Sequence, residues 1–175
     1  MGTRWWLLAE DPRQERLALR VARAFGLNDQ PIKAWRSPEG KGSASDWVVR
    51  QFPQRVRETT RKRPTERVAL IVMIDGDNMG VAQRKRSLDE SLVNSGQSSR
   101  ADNEPVVVLV PTWSIETWLL GKQDESVSFK NDLRRGDEVD EQFKAVAARL
   151  KARQVDGAAS SLQDACIELN RISGS

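Results

Sequence analysis

A chain of 175 residues, 38% hydrophobic and 30% charged, suits one domain with a core of its own. It holds no histidine and one cysteine, Cys166, which excludes Ser-His-Asp and Cys-His catalysis, histidine-ligated metals and an intramolecular disulfide. The 28 basic and 25 acidic side chains leave a net charge of +3, a mild bias toward a polyanionic partner. No apolar run approaches the roughly 20 residues of a membrane span. Glu10 and Asp11 interrupt the first apolar run too early for a secretory segment. The expectation is a cytoplasmic protein without a membrane partner. Any catalysis would use carboxylates, Lys, Arg, Ser or Thr, with a metal as the natural assistant.

Residues 4–9, RWWLLA, read as a strand ending in Glu10-Asp11. Pro12 suits the first turn of the next helix and Asp11 its N-cap. Leu17, Val21 and Phe25 give that helix, over 13–25, an apolar face, and Gly26 closes it. Residues 31–36, PIKAWR, form a short strand candidate. The loop 37–43, SPEGKGS, leads to a helix near Ser45. Gly-Lys-Gly-Ser before a helix offers free N–H groups, the helix dipole and Lys41 to a phosphate. An ordinary mobile loop is the competing reading, and Walker A spacing is absent. The helix over 44–62 carries Pro53 as a kink or break. Arg50, Arg55, Arg57, Arg61, Lys62 and Arg63 then make either a solvated basic face or a nucleic-acid track, and Arg84, Lys85 and Arg86 a second basic cluster.

The centre of the chain is residues 67–80, RVALIVMIDGDNMG. Seven apolar residues without alternation, 68–74, predict a strand buried on both faces, as in a parallel sheet. It ends in Asp75-Gly76-Asp77. Two carboxylates at i and i+2 of an extended chain share one side, and close like charges call for a cation. The chemistry fits a hard divalent ion such as Mg²⁺; a plain turn is the competing reading.

A helix over 81–93, a polar loop over 94–103 and a second fully apolar strand, 105–110, follow. Ser114 reads as the N-cap of a short helix with Glu116 in its first turn, and the tryptophans there read as core. Residues 123–136 read as a connection, 138–153 as an amphipathic helix, and Ser160-x-x-Gln163 as a capping box opening a last helix through about 172. The alternation predicts an α/β fold: a Rossmann-like, mainly parallel sheet of about four strands. It divides as 1–122 for the α/β domain and 123–175 for a helical extension packed on it. Three strand ends, at Glu10-Asp11, at Asp75 and Asp77, and at Glu116, would line one edge with acids, which favours the metal reading.

An acid after a first hydrophobic strand, then D-x-D after a later one, resembles the Toprim (topoisomerase–primase) domain over residues 4–122. The segment I-E-T-W-L-L at 115–120 is similar to one in small stand-alone Toprim-like proteins found beside ATPases in prokaryotic defence loci; OLD-family nucleases carry a related domain. The D-x-D falls on Asp75 and Asp77. The first-strand acid falls on Glu10 by residue type or on Asp11 by its spacing to Glu15, and the usual following glycine is missing. The resemblance implies Mg²⁺- or Mn²⁺-dependent phosphodiester hydrolysis in anti-phage defence. Asp75, Asp77, Glu116 and Glu10 would hold the metal, and Glu10 or Asp11 would complete the site or relay a proton. Lys41 would stabilise phosphate charge, and Arg55, Arg57, Arg61, Arg84 and Lys85 would follow a DNA or RNA backbone. With no tyrosine the chain lacks the covalent carrier of a topoisomerase. Two other readings stay open. One is a non-catalytic adaptor or regulator of a partner ATPase on the same fold. The other is a PIN/NYN-type ribonuclease, whose first-strand motif I-D-G-D-N resembles, although here two predicted strands precede it. A homo-oligomer also stays open.

Overall fold

The computed structural model describes residues 3–26, 32–134 and 136–173. Among them lie the strands β1 (Arg4–Ala9), β2 (Lys33–Arg36), β3 (Val68–Met73) and β4 (Val106–Leu109). All pair in parallel, in the order β2-β1-β3-β4. The crossovers are helices α1 (Pro12–Ala24), α2 (Ala44–Lys62) and α3 (Gly80–Asn94); after β4 come α4 (Glu116–Leu119), α5 (Asp140–Ala152) and α6 (Ser160–Ser173). The strand begins at Lys33, so the start expected at Pro31 lies outside the described residues.

Alternation along the strands divides the core into two layers. Trp6, Leu8, Leu70, Val72, Val106 and Val108 pack against Val48, Phe52 and Val56 of α2 and Leu88 and Leu92 of α3. Trp5, Leu7, Ala69, Ile71, Val107 and Leu109 pack against α1, α5 and α6. Every residue of β3 is buried, because both of its faces meet helices; this is why its sequence shows no polar alternation. Leu17 and Val21 of α1, Phe143 and Leu150 of α5 and Leu162 and Leu169 of α6 share one core cluster. The C-terminal helices are therefore an integral layer of the domain.

Three local expectations are corrected. Helix α2 is not broken at Pro53: burial of Val48, Phe52 and Val56 outweighs the roughly 3 kcal/mol cost of an internal proline, which leaves a kink as the form of that expectation still open. Ser114 does not cap α4; the N-cap is Ile115, without a side-chain bond, and the buried Ser114 hydroxyl has no partner among the described residues. The capping box at Ser160 is not formed either. Glu125, from the connection after α4, accepts from Ser160 N at 3.0 Å, Ser161 N at 3.1 Å, the Ser160 hydroxyl, and Thr112 Oγ1 at 2.6 Å. Burial pushes the Glu125 carboxyl up, but these donors more than offset it and hold it at about 2.

The outer edge of β4 is closed by side chains of opposite charge. Arg100 Nη1 and Arg171 Nη2 donate to Val106 O at 2.9 and 2.6 Å, and Glu168 Oε2 accepts from Val108 N at 3.4 Å. Arg100 grips Glu168 with both guanidinium nitrogens, at 2.7 and 3.0 Å. Burial raises the Glu168 carboxyl, but Arg100, Lys85 and Arg171 more than offset this and hold it at about 2, below its ordinary 4.5. A depressed carboxyl stabilises the fold fully above the unfolded value and loses that contribution as pH falls from about 4.5 toward 2. The Glu168→Gln variant should therefore melt lower than wild type at pH 7, by an amount corresponding to about 2–3 kcal/mol. Denaturation curves recorded at falling pH should show the two proteins converging as pH nears 2.

Candidate functional site: an acidic cluster where the strand order reverses

From β1 the chain crosses to β2 on one side, and from β3 to β4 on the other. The carboxyl ends of β1 and β3 thus bound the crevice where parallel α/β sheets bind their ligands. Glu10 directly follows β1, and Asp75 lies two residues beyond the end of β3. Asp11 is the N-cap of α1 and accepts from Gln14 N at 2.9 Å. With Asp11 so engaged, Glu10 is the acid that enters the cluster. Its Oε1 accepts from Asp75 N at 2.9 Å, and its own N–H donates to Gln14 Oε1 at 3.1 Å. Asp75 Oδ1 in turn accepts from Ile115 N at 3.1 Å. The ends of β1, β3 and β4 are thereby tied through two carboxylates.

The Asp75-Gly76-Asp77 segment is a turn as well as a site. Asp77 has φ +46° and faces Trp113, φ +61°, across an isolated antiparallel bridge. The extended i, i+2 arrangement expected for the two aspartates is therefore not the one adopted. A Cβ on Gly76 would sit 3.0 Å from Pro111 O, so a side chain there would crowd the carbonyl where the two segments touch. Arg84, 4% exposed, donates from Nε to Asp75 O at 2.9 Å and from Nη2 to Asp77 Oδ2 at 3.3 Å. Lys130 reaches Asp77 Oδ1 at 3.4 Å. Glu116 pairs with Arg13 at 2.7 Å, and Arg13 also donates to the carbonyls of Leu133 and Arg134.

Among the described residues no guanidinium or ammonium bonds to the carboxylate of Glu10 or of Asp75, which are 9% and 4% exposed. Burial, then the charges of Asp77 and Asp11, push Glu10 up to about 7, against the Asp75 N–H and Arg84. Burial, then Glu10, Asp11, Asp77 and Glu116, push Asp75 well above the usual range. Lys130 shows the converse: burial works against its charge, but Asp77, Asp75 and Glu10 raise its pKa.

As arranged here, no group of three carboxylates among the described residues is gathered to hold a metal; Glu10, Asp75 and Glu116 each have one oxygen on a protein partner, and Asp77 has both. The second oxygens, Glu10 Oε2 and Asp75 Oδ2, accept nothing among the described residues. An all-carboxylate set suits Mg²⁺ or Mn²⁺, and Mg²⁺ needs only one or two protein carboxylates besides waters and phosphate. The donor chemistry fits.

The basic residues do not form one track. Arg84 is a buried strut of the acid turn, and Lys85 pairs with Asp164 at 2.6 Å, so neither is free for a nucleic-acid backbone. Arg55 stacks 4.2 Å over Trp35 and pairs with Glu58. Helix α2 starts at the acid end of the sheet and runs to the start of β3, which carries Arg57 and Arg61 toward the opposite end, up to about 25 Å away. Lys41 is exposed on the loop 37–43, outside the acid cluster. Sequence reasoning missed Arg13, Gln14 and Lys130. Gln14 and Arg13 carry no motif beyond their place in the first turn of α1, and Lys130 lies in a connection without periodicity.

Beside the cluster opens a cleft of about 470 Å³ bounded by Glu10, Arg13, Ser37, Pro38, Gly40 and Leu133, among others. No family model, curated protein or solved structure matches the chain.

A carboxyl raised in the folded state stabilises the fold fully below its unfolded value and loses that contribution as pH rises through the folded value. For Glu10 the window runs from about 4.5 to about 7. Glu10→Gln should therefore be more stable than wild type at pH 8 without divalent ions, by roughly 2–3 kcal/mol, and equal to it at pH 4. Asp75→Asn should shift stability in the same direction. A melting series across pH checks both, and a variant that melts lower than wild type at pH 8 would overturn the reading.

Proposed function

We propose that the chain hydrolyses nucleic-acid phosphodiester bonds with Mg²⁺ or Mn²⁺, as a nuclease or as the nuclease subunit beside a partner ATPase. The observation that carries this is the pair Glu10 and Asp75: two buried, adjoining carboxylates at the ends of different strands, with no cationic side chain bonded to either among the described residues. Such a pair destabilises a fold and is the kind of perturbed group that functional sites keep. The resemblance to Toprim domains points to the same residues.

In this reading Asp75 and Asp77, assisted by Glu116, hold the ion, which when bound neutralises phosphate charge and acidifies a water. Arg84 fixes the turn that carries both aspartates. Glu10, poised near neutrality, holds the proton that a departing oxygen requires, or takes one from water. Lys130, with 60% of its side chain exposed beside Asp77, can turn to the phosphate and stabilise its charge; Lys41 approaches from the loop after β2. The adaptor reading draws on one observation, that each acid already has a protein partner in this arrangement. The PIN/NYN reading fits less well, because β3 is a central strand laid beside β1.

Purified protein with Mg²⁺ or Mn²⁺ should cut at least one of labelled duplex DNA, single-stranded DNA and tRNA. Asp75→Asn and Asp77→Asn should abolish cleavage, and Glu10→Gln should slow it about a hundredfold. A wild type inert on all three substrates, yet stably bound to an ATPase, would establish the adaptor instead.

A further inference from the structure

The cleft beside Glu10 extends beyond the acids used in the chemistry above, and it is built like a ligand site. Its volume of about 470 Å³ is that of a small-molecule pocket. Pro12, Pro38 and Leu133 give it flat apolar walls. Two of its polar groups are more than nine-tenths buried with capacity to spare. Ser37 is 7% exposed, its N–H continues the sheet to Ala9 O at 3.3 Å, and its hydroxyl bonds to nothing among the described residues. Glu10 presents Oε2, the oxygen that Asp75 N does not use.

The charge around the cleft decides what it accepts. Its described lining carries Glu10, Asp11, Glu39 and Glu116 against Arg13 alone, so a phosphate inside would meet acids. The start of α2 does not reverse this, because Ser43 Oγ already takes the Asp46 N–H and Asp46 lies in the first turn. A polyamine is disfavoured too. Asp11 caps α1 through Oδ1, Glu116 holds Arg13 through Oε1 and Glu39 has a partner of its own, so these acids are partly spent on the protein itself rather than gathered as a cage. What fits is a neutral, flat, partly apolar body with a few hydrogen-bonding groups.

We propose that this cleft seats one unstacked nucleoside of the substrate, the sugar and base next to the phosphate held at the acid cluster. The inference rests on the nuclease reading and narrows its substrate class to single-stranded or frayed nucleic acid. The base lies between the proline and leucine walls. Ser37 Oγ bonds a sugar hydroxyl or base group, Glu10 keeps Oε2 for the reacting oxygen, and the charged backbone stays outside, toward Lys41. A paired nucleotide must first leave its stack, which draws on the binding energy, so duplex should be cut at least about tenfold more slowly.

The test is amide chemical-shift mapping on the metal-free full chain, with uridine, adenosine, inorganic phosphate and spermidine as separate probes, beside cleavage of one sequence as single strand and as duplex. A nucleoside should shift Ser37, Gly40, Gly42 and Leu133, and phosphate alone should not. Ala44→Phe, which fills the cleft from the half-exposed start of α2, and Ser37→Ala, which removes only the hydroxyl, should each weaken those shifts and the single-strand preference; their melting curves verify folding. Shifts with spermidine but not nucleosides, or equal cleavage of both strand forms without nucleoside shifts, would overturn the proposal while leaving the nuclease reading intact. Nucleoside shifts at the cleft in a protein that cuts nothing would sink the nuclease reading and retain the nucleoside site.

Discussion

One hydrogen bond sets the shape of the functional end of this molecule: the Asp75 N–H donated to the Glu10 carboxylate. It joins the ends of β1 and β3 where the sheet reverses its order, and it turns Glu10 inward while Asp11, one residue on, faces outward to cap α1. From it follow the contact of Asp75 with Ile115 N, the close passage of Gly76 beneath Pro111, and the buried Arg84 that braces the turn. The acids repel one another within this frame, and two hydrophobic layers on either side of β3 hold it closed against that repulsion. Stability is supplied by the layers and function concentrated at their rim.

The parts legible in the sequence were those encoded by nearest neighbours. The apolar run 68–74 announced a doubly covered strand, Asp11-Pro12 announced a helix start, and Gly26 its end; the structure realises each. The four-strand parallel sheet followed from the order of such segments. Glu10 could be separated from Asp11 only once the α1 cap was seen, because either residue can cap a helix and either can approach Asp75. Signals that depended on distant partners were misread. Ser160-x-x-Gln163 has the letters of a capping box, but Glu125, far away in sequence, reaches those N–H groups first. Arg84 belongs to a basic triplet in sequence and to the acid turn in space. Lys130 left no trace at all, since an exposed lysine in an aperiodic connection acquires meaning only from where that connection lies.

That connection is the main contribution of the C-terminal third. Glu125 anchors it to the start of α6, Lys130 meets Asp77, and the carbonyls of Leu133 and Arg134 meet Arg13. It thus roofs the acid end of the sheet between two fixed points, and α5 and α6 serve as its footing as much as core. The basic character of the chain, by contrast, is dispersed: Arg55, Lys85 and Arg100 are engaged in packing or ion pairs.

The two borders of the sheet are unlike. Along β4 the outward backbone groups are taken by Arg100, Glu168 and Arg171, whereas among the described residues no side chain bonds to the backbone of β2. Open strand borders are where chains join edge to edge. A building block with two such borders can propagate into a fibre, while one with a single border reaches closure when two copies meet, since a twofold pairing uses up the free side of both. The arginine and glutamate side chains along β4 therefore act as a terminator on that side, and any joining of copies through the sheet would be confined to β2.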